Sequence, residues 1–126
     1  MAFARASTRI LIMITLYHNP RCSKSREALA LLQAKGQEPN LILYLENPPT
    51  AKVLKEILVK LNINARQLLR KSEDAYKTLN LNDENLSEAT LVNAMIANPK
   101  LIERPIAVNG DKAVIGRPPE NILSIL

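Results

Sequence analysis

The sequence predicts an α/β fold: a four-stranded mixed sheet with helices on its faces, in which a helical block separates a βαβ unit from a C-terminal β-hairpin and a last helix. Three observations carry the prediction. A continuous β-branched apolar run over residues 10–17 leads through a turn into a helical pattern and then a second short apolar run. The middle of the chain repeats apolar residues at three- and four-residue spacing. Near the end, Asn109-Gly110 joins two more short apolar runs, and Asn-Gly is the strongest short-range hairpin signal.

The first strand, I-L-I-M-I-T-L-Y over residues 10–17, has the pattern of a strand covered on both faces. Asn19-Pro20-Arg21-Cys22 breaks it, and a helix is expected over residues 23–35, with Glu27 in its first turn, Lys35 in its last and Gly36 placed to end it. A short strand over residues 41–45 follows, closed by Asn47-Pro48-Pro49. A right-handed crossover makes these two strands parallel. Thr50 is placed to cap a helix whose inner face is Leu54, Ile57, Leu58 and Leu61; Asn64 starts a short one through Leu68 and Leu69. Ser87 caps a third, carrying Leu91, Val92, Met95 and Ile96 and stopped by Asn98-Pro99. The hairpin strands fall at residues 106–108 and 113–115, and a helix from Pro119 buries Ile122, Leu123 and Leu126.

The chain has 126 residues and a mass of 14.0 kDa, enough for one domain. At 47% apolar and 23% charged residues it can build a core, drawn from Leu, Ile, Val and Ala because Trp is absent and Phe occurs once. One Cys excludes an internal disulfide, and one Cys with one His excludes a closed Cys/His zinc site. Seventeen Lys and Arg against twelve Asp and Glu give +5, which favours anionic partners. Aromatic residues at 3% leave no stacking platform for single-stranded nucleic acid, so a small anion is the better expectation. No stretch reaches the eighteen or so apolar residues of a membrane span. Residues 1–12 contain Arg5 and Arg9 and no acid, which suits a transit peptide, and the following apolar run suits a short signal segment. No small-residue cleavage site follows, however, so residues 1–12 are read as an N-terminal extension or upstream start before a single domain over residues 13–126.

Cys22 falls between the carboxyl end of a strand and the amino end of a helix. There the unpaired first-turn amides and the positive dipole end favour a thiolate, and Arg21, Lys24 and Arg26 act in the same direction. Lowering a thiol pKa from ~8.5 to ~7 takes about 2 kcal/mol of differential stabilisation. The same amides suit an oxyanion. The alternative, a buried inert thiol, does not normally keep Pro, Arg, Ser and Lys as neighbours. Ser25 stands where a dithiol oxidoreductase carries its second Cys, so any redox chemistry at Cys22 needs an external thiol; its hydroxyl either donates to the sulfur or serves as a plain first-turn residue. His18, the only imidazole, either pairs with Cys22 as a base, positions the loop, or simply ends the strand. Arg70, Arg104 and Arg117 each adjoin an element that packs, and converging guanidinium groups would suit a tetrahedral oxyanion. Taken singly, each is equally a surface ion pair.

H-N-P-R-C-S-K-S-R over residues 18–26 resembles the active-site segment of the glutaredoxin-linked arsenate reductases, the ArsC family. L-Y-L-E-N-P-P at 43–49, L-L-R-K at 68–71, E-R-P-I at 103–106 and G-R-P-P-E at 116–120 resemble further motifs of that family, in the same order. The resemblance covers residues 13–126 and is nearest to the short, stand-alone branch; Gly116 beside Arg117 is a departure. It implies a thioredoxin-like fold with a helical insertion and a cis proline at Pro105. It also implies Cys22 as nucleophile, Arg70, Arg104 and Arg117 as the residues that hold arsenate, and His18, Ser25 and Arg26 as stabilisers of the thiolate. The reaction that the resemblance implies starts with Cys22 attacking arsenate; glutathione would displace the adduct and glutaredoxin reduce the mixed disulfide to release arsenite. No bound cofactor or metal is implied, glutathione being a co-substrate, and the implied protein is a cytoplasmic monomer without nucleic-acid or membrane partners. Two other functions stay open: a regulatory binding module like the Spx regulators, whose Cys-x-x-Cys switch Ser25 removes, and a thiol oxidoreductase acting on another substrate.

Overall fold

β1 (Ile14–Tyr17) lies inside the sheet of this computed structural model, which describes residues 13–126. β2 (Asn40–Ile42) pairs with it in parallel, with Leu16 opposite Leu41, and β3 (Ile106–Asn109) pairs antiparallel on its other side, with Leu16 opposite Ala107. β4 (Lys112–Ile115) completes the order β2-β1-β3-β4. This is the four-stranded mixed sheet that the pattern predicts, and it agrees with the thioredoxin-like fold that the resemblance implies. The expected extension over residues 1–12, and the first three residues of the strand expected from Ile10, lie outside the described residues.

The two-residue period of the strands sorts the core into two layers. Ile14, Leu16 and Ala107 point to one face, where they meet Ala28 and Leu32 of α1 (Ser23–Ala34) and Ile122 and Ile125 of the C-terminal segment. Tyr17 and Ile106 point to the other, under the helical insertion: α2 (Ala51–Leu61), α3 (Ala65–Leu68), α4 (Asp74–Thr78) and α5 (Glu88–Ala97). Leu54, Ile57 and Leu58 of α2 are buried there, and each such side chain contributes roughly 1.5–3 kcal/mol.

Three helix starts read from sequence are built as expected. Thr50 Oγ1 accepts from Val53 N–H at 3.2 Å, Ser87 Oγ from Thr90 N–H at 3.1 Å, and Asn64 with Gln67 closes a reciprocal capping box at 2.9 Å in each direction. Other boundaries differ. α1 stops at Ala34, so Lys35 is its C-cap, and Glu27 lies beyond the first turn, 3.6 Å from Lys24. The second strand ends at Ile42 rather than reaching Leu45, because Glu46 and Asn47 N–H both turn back to the Leu43 carbonyl and swing Tyr44 into the core. The C-terminal segment, Pro119–Ile125, is a 3₁₀ helix. Its three-residue period puts Ile122 and Ile125 on one buried face and leaves Leu123 and Leu126 exposed, unlike the α-helical expectation. α4 was not expected: it buries no residue and so carries no apolar periodicity. In the hairpin the strands run through Asn109 and Lys112, leaving Gly110 at positive φ (63°) as the first of two turn residues.

Candidate active site

Cys22 is the N-cap residue of α1, with extended backbone (φ −93°, ψ 123°) and a partly exposed side chain. Its loop is tied on both sides. Cys22 N–H donates to the Asn19 carbonyl at 3.0 Å, Arg21 N–H to Asn19 Oδ1 at 3.0 Å, and Arg26 Nη1 to the Pro20 carbonyl at 2.8 Å. The cap position gives the sulfur what the sequence suggested, first-turn amides pointing its way. Burial pushes the Cys22 thiol up, but the Ser25 and Lys24 backbone N–H groups and the Arg104 guanidinium together outweigh it and hold the thiol below its ordinary value. Arg117 Nη2 also faces Sγ, at 3.7 Å.

The Ser25 hydroxyl bonds to His18 and to the Asn19 backbone. It lies 2.6 Å from His18 Nδ1 and accepts from Asn19 N–H at 3.0 Å, with both side chains buried. Burial, then the charge of Arg26, lowers the His18 pKa, so the ring is neutral at neutral pH and able to accept the Ser25 proton. Arg26 meets the loop through Pro20 rather than through the sulfur.

The three arginines converge, each by a different route. Arg70 arrives on a short antiparallel bridge in which Leu69 opposes Ile102, Arg70 N–H donates to the Leu101 carbonyl at 2.8 Å and Glu103 N–H to the Leu68 carbonyl at 3.0 Å. Arg104 and Arg117 flank the start of β3 and the end of β4, which are paired with Ile106 opposite Ile115. Both precede prolines through cis peptide bonds, Arg104–Pro105 and Arg117–Pro118. Arg117 Nε donates to the Arg104 carbonyl at 2.9 Å. Gly116 permits this approach: its N–H donates to the Pro105 carbonyl at 2.8 Å, and a Cβ there would stand 2.9 Å from Pro105 Cγ.

Two residues of the cluster escaped the reading of single positions. Glu103 Oε1 lies 3.2 Å from Arg104 Nη1, 3.3 Å from Arg117 Nε and 4.0 Å from Arg70 Nε. Its adjacency to Arg104 in E-R-P-I was the available signal. Tyr44, nearly fully buried, has its hydroxyl pushed up to about 12 by burial, against the pull of the Arg104 and Arg70 charges, and it stays protonated throughout the neutral range. Arg70 Nη1 is held by Glu73 at 2.9 Å, whereas Arg104 Nε is buried with no partner. Among the described residues no group of three or more His, Cys, Asp and Glu side chains is arranged to hold a metal. What the cluster offers is a nucleophilic sulfur at a helix start beside donors for an anion.

A family profile described as ArsC family matches residues 17–125. The chain is 56% identical over 114 residues to an uncharacterized protein of Escherichia coli K12, YfgD, covering 90% of this chain and 96% of that one. It is 51% identical to an arsenate reductase of Haemophilus influenzae, covering 90% and 98%. The solved structure of an arsenate reductase from Vibrio cholerae superposes with a TM-score of 0.89 at 49% identity, covering 91% of this chain and 98% of that one.

Proposed function

We propose, from the premise that the chain belongs to the ArsC family, that it reduces arsenate to arsenite through a covalent Cys22–arsenate adduct that glutathione and glutaredoxin resolve. The observation that carries this reading is the position of the single sulfur, at the start of α1 with Arg117 Nη2 at 3.7 Å. A sulfur so placed carries more thiolate than an ordinary cysteine, and its neighbours are donors to the oxygens of whatever it attacks.

In the first step the Cys22 thiolate bonds to arsenic while an arsenic–oxygen bond breaks, and that oxygen departs with protons as water. Arg104 and Arg117, with Arg70 beside them, hold the remaining oxygens and the charge that develops on them. The buried His18–Ser25 pair and the Arg26–Pro20 bond fix the loop that carries the sulfur. Arsenic is still pentavalent in the adduct, and two electrons are needed to reach arsenite. The chain has one Cys and forms no internal disulfide, so two external thiols, of glutathione and of a glutaredoxin cysteine, supply the pair and leave joined as a disulfide. Water then adds to the trivalent arsenic as the sulfur–arsenic bond breaks, which releases arsenite and returns Cys22 to its thiolate. Such chemistry belongs to a reducing compartment, so the reading includes a cytoplasmic monomer with no bound cofactor, acting as one domain over residues 13–126 after an extension or upstream start over 1–12.

The test is turnover with purified components. Arsenate, glutathione and glutaredoxin should yield arsenite with the wild-type protein, and none with Cys22→Ser at unchanged far-ultraviolet circular dichroism. A Cys22→Ser protein that still reduces arsenate contradicts the mechanism, and a wild-type protein that forms no arsenite contradicts the substrate.

A further inference from the structure

Neither holding an oxyanion nor activating the thiol explains a carboxylate among the arginines, yet Glu103 sits at their centre. One of its oxygens, Oε1, meets Arg104 Nη1 at 3.2 Å, Arg117 Nε at 3.3 Å and Arg70 Nε at 4.0 Å, and it accepts the Arg104 backbone N–H at 3.1 Å. The side chain keeps 29% of its surface exposed, so the carboxylate stands at the open edge of the cluster rather than sealed beneath it. Arg117 connects it to the reactive atom, with Nε on Glu103 and Nη2 3.7 Å from Cys22 Sγ. An anion held by Arg104 and Arg117 within reach of the sulfur therefore lies within about one guanidinium's breadth of a carboxylate.

We propose that Glu103 is a specificity-determining residue that makes the site take tetrahedral oxyanions carrying a proton and reject fully ionised ones. The proposal rests on the reading of the arginine cluster as an oxyanion site. An ionised carboxylate only accepts hydrogen bonds, and so does a fully ionised oxyanion such as sulfate. On shared guanidinium groups the two set acceptor against acceptor and like charge against like. Arsenate and phosphate keep a proton at neutral pH, and that O–H is a donor for which Glu103 is the partner. A site built to pair with a substrate hydroxyl discriminates against an analogue that lacks one, because the analogue then sets its own acceptor oxygens and negative charge against the Glu103 carboxylate. The same carboxylate fixes the directions of the Arg104 and Arg117 forks, so its place in the cluster serves geometry and selection together.

The test reads binding and requires no reduction: protection of Cys22 from alkylation by inorganic phosphate and by sulfate, in the wild type, Glu103→Gln and Glu103→Asp. Wild type should be protected at least about tenfold more tightly by phosphate than by sulfate. Glu103→Gln keeps the shape, removes the charge and supplies an N–H donor, so it should shrink that ratio about tenfold, mainly by tightening sulfate. Glu103→Asp retains an acceptor-only carboxylate and should still prefer phosphate. A ratio that Glu103→Gln leaves unchanged overturns the proposal. Equal protection of the wild type by the two anions overturns it without any variant, whether or not Glu103→Gln folds. If neither anion protects, the oxyanion site falls with it. A protein that keeps the phosphate preference but forms no arsenite from arsenate removes only the proposed substrate.

Discussion

Opposing influences meet on the Cys22 sulfur: burial favours the thiol, whereas two backbone N–H groups and the Arg104 guanidinium favour the thiolate and prevail. Arg104→Ala should therefore raise the pH midpoint of Cys22 alkylation. It should also weaken oxyanion protection tenfold or more, since a charge-assisted hydrogen bond is worth roughly 1.5–3 kcal/mol. Alkylation rates measured against pH and against anion concentration check both effects, and an unchanged midpoint would remove Arg104 from the sulfur's surroundings. His18 has a different consequence. Burial, then Arg26, lowers its folded-state pKa, so the unfolded chain takes up this proton at a higher pH than the folded chain. The contribution of neutral His18 to stability is complete above about pH 6.5 and declines as the pH falls below it. Urea midpoints measured between neutral and mildly acidic pH should fall in the wild type, and fall less in His18→Gln.

Whole elements bring the distant members of the site together. The Leu69–Ile102 bridge carries Arg70 to Glu103, and the β3–β4 pairing carries Arg117 to Arg104. Gly116 is the tight point of that second junction, with a prospective Cβ 2.9 Å from Pro105 Cγ and 3.3 Å from Ile122 Cγ2. Pro105 and Ile122 are fully buried, so Gly116→Ala should cost about 1–3 kcal/mol by overpacking. It should also raise KM by displacing the backbone that carries Arg104 and Arg117; unchanged melting temperature and KM would show that the junction yields. Leu54→Ala on α2, whose side chain is buried in the same layer as Tyr44, leaves a cavity and should cost roughly 2–5 kcal/mol, read as a lowered urea midpoint. The caps at Thr50, Asn64 and Ser87 and the alternation of strand and helix were legible because short-range chemistry writes them. α4 was not, since it fully buries no residue, and the C-terminal helix was read on Ile122, Leu123 and Leu126 because four-residue spacing is the commoner helical pattern, whereas its 3₁₀ period buries Ile122 and Ile125. For the site, the cap position of Cys22 was local and readable. The convergence of Arg70, Arg104 and Arg117 was raised by their packing contexts and implied by the resemblance but not shown by spacing, and the centrality of Glu103 was not legible at all, because both depend on contacts between segments distant in sequence.

Across the whole molecule, the two packed faces of the sheet meet at one functional edge. The sulfur rides on α1, which packs on the layer of Ile14 and Leu16, while Arg70 and Glu103 come from the side of the helical insertion. Arg70, Arg104 and Arg117 gather there around Glu103, and the sequence contains a single Cys. That last property makes the central claim directly measurable, because every thiolate signal belongs to Cys22. Titration of the purified protein by the ultraviolet absorbance of the thiolate should give a midpoint below that of an ordinary cysteine, moved upward in Arg104→Ala. A midpoint at or above the ordinary value in the wild type would contradict the account.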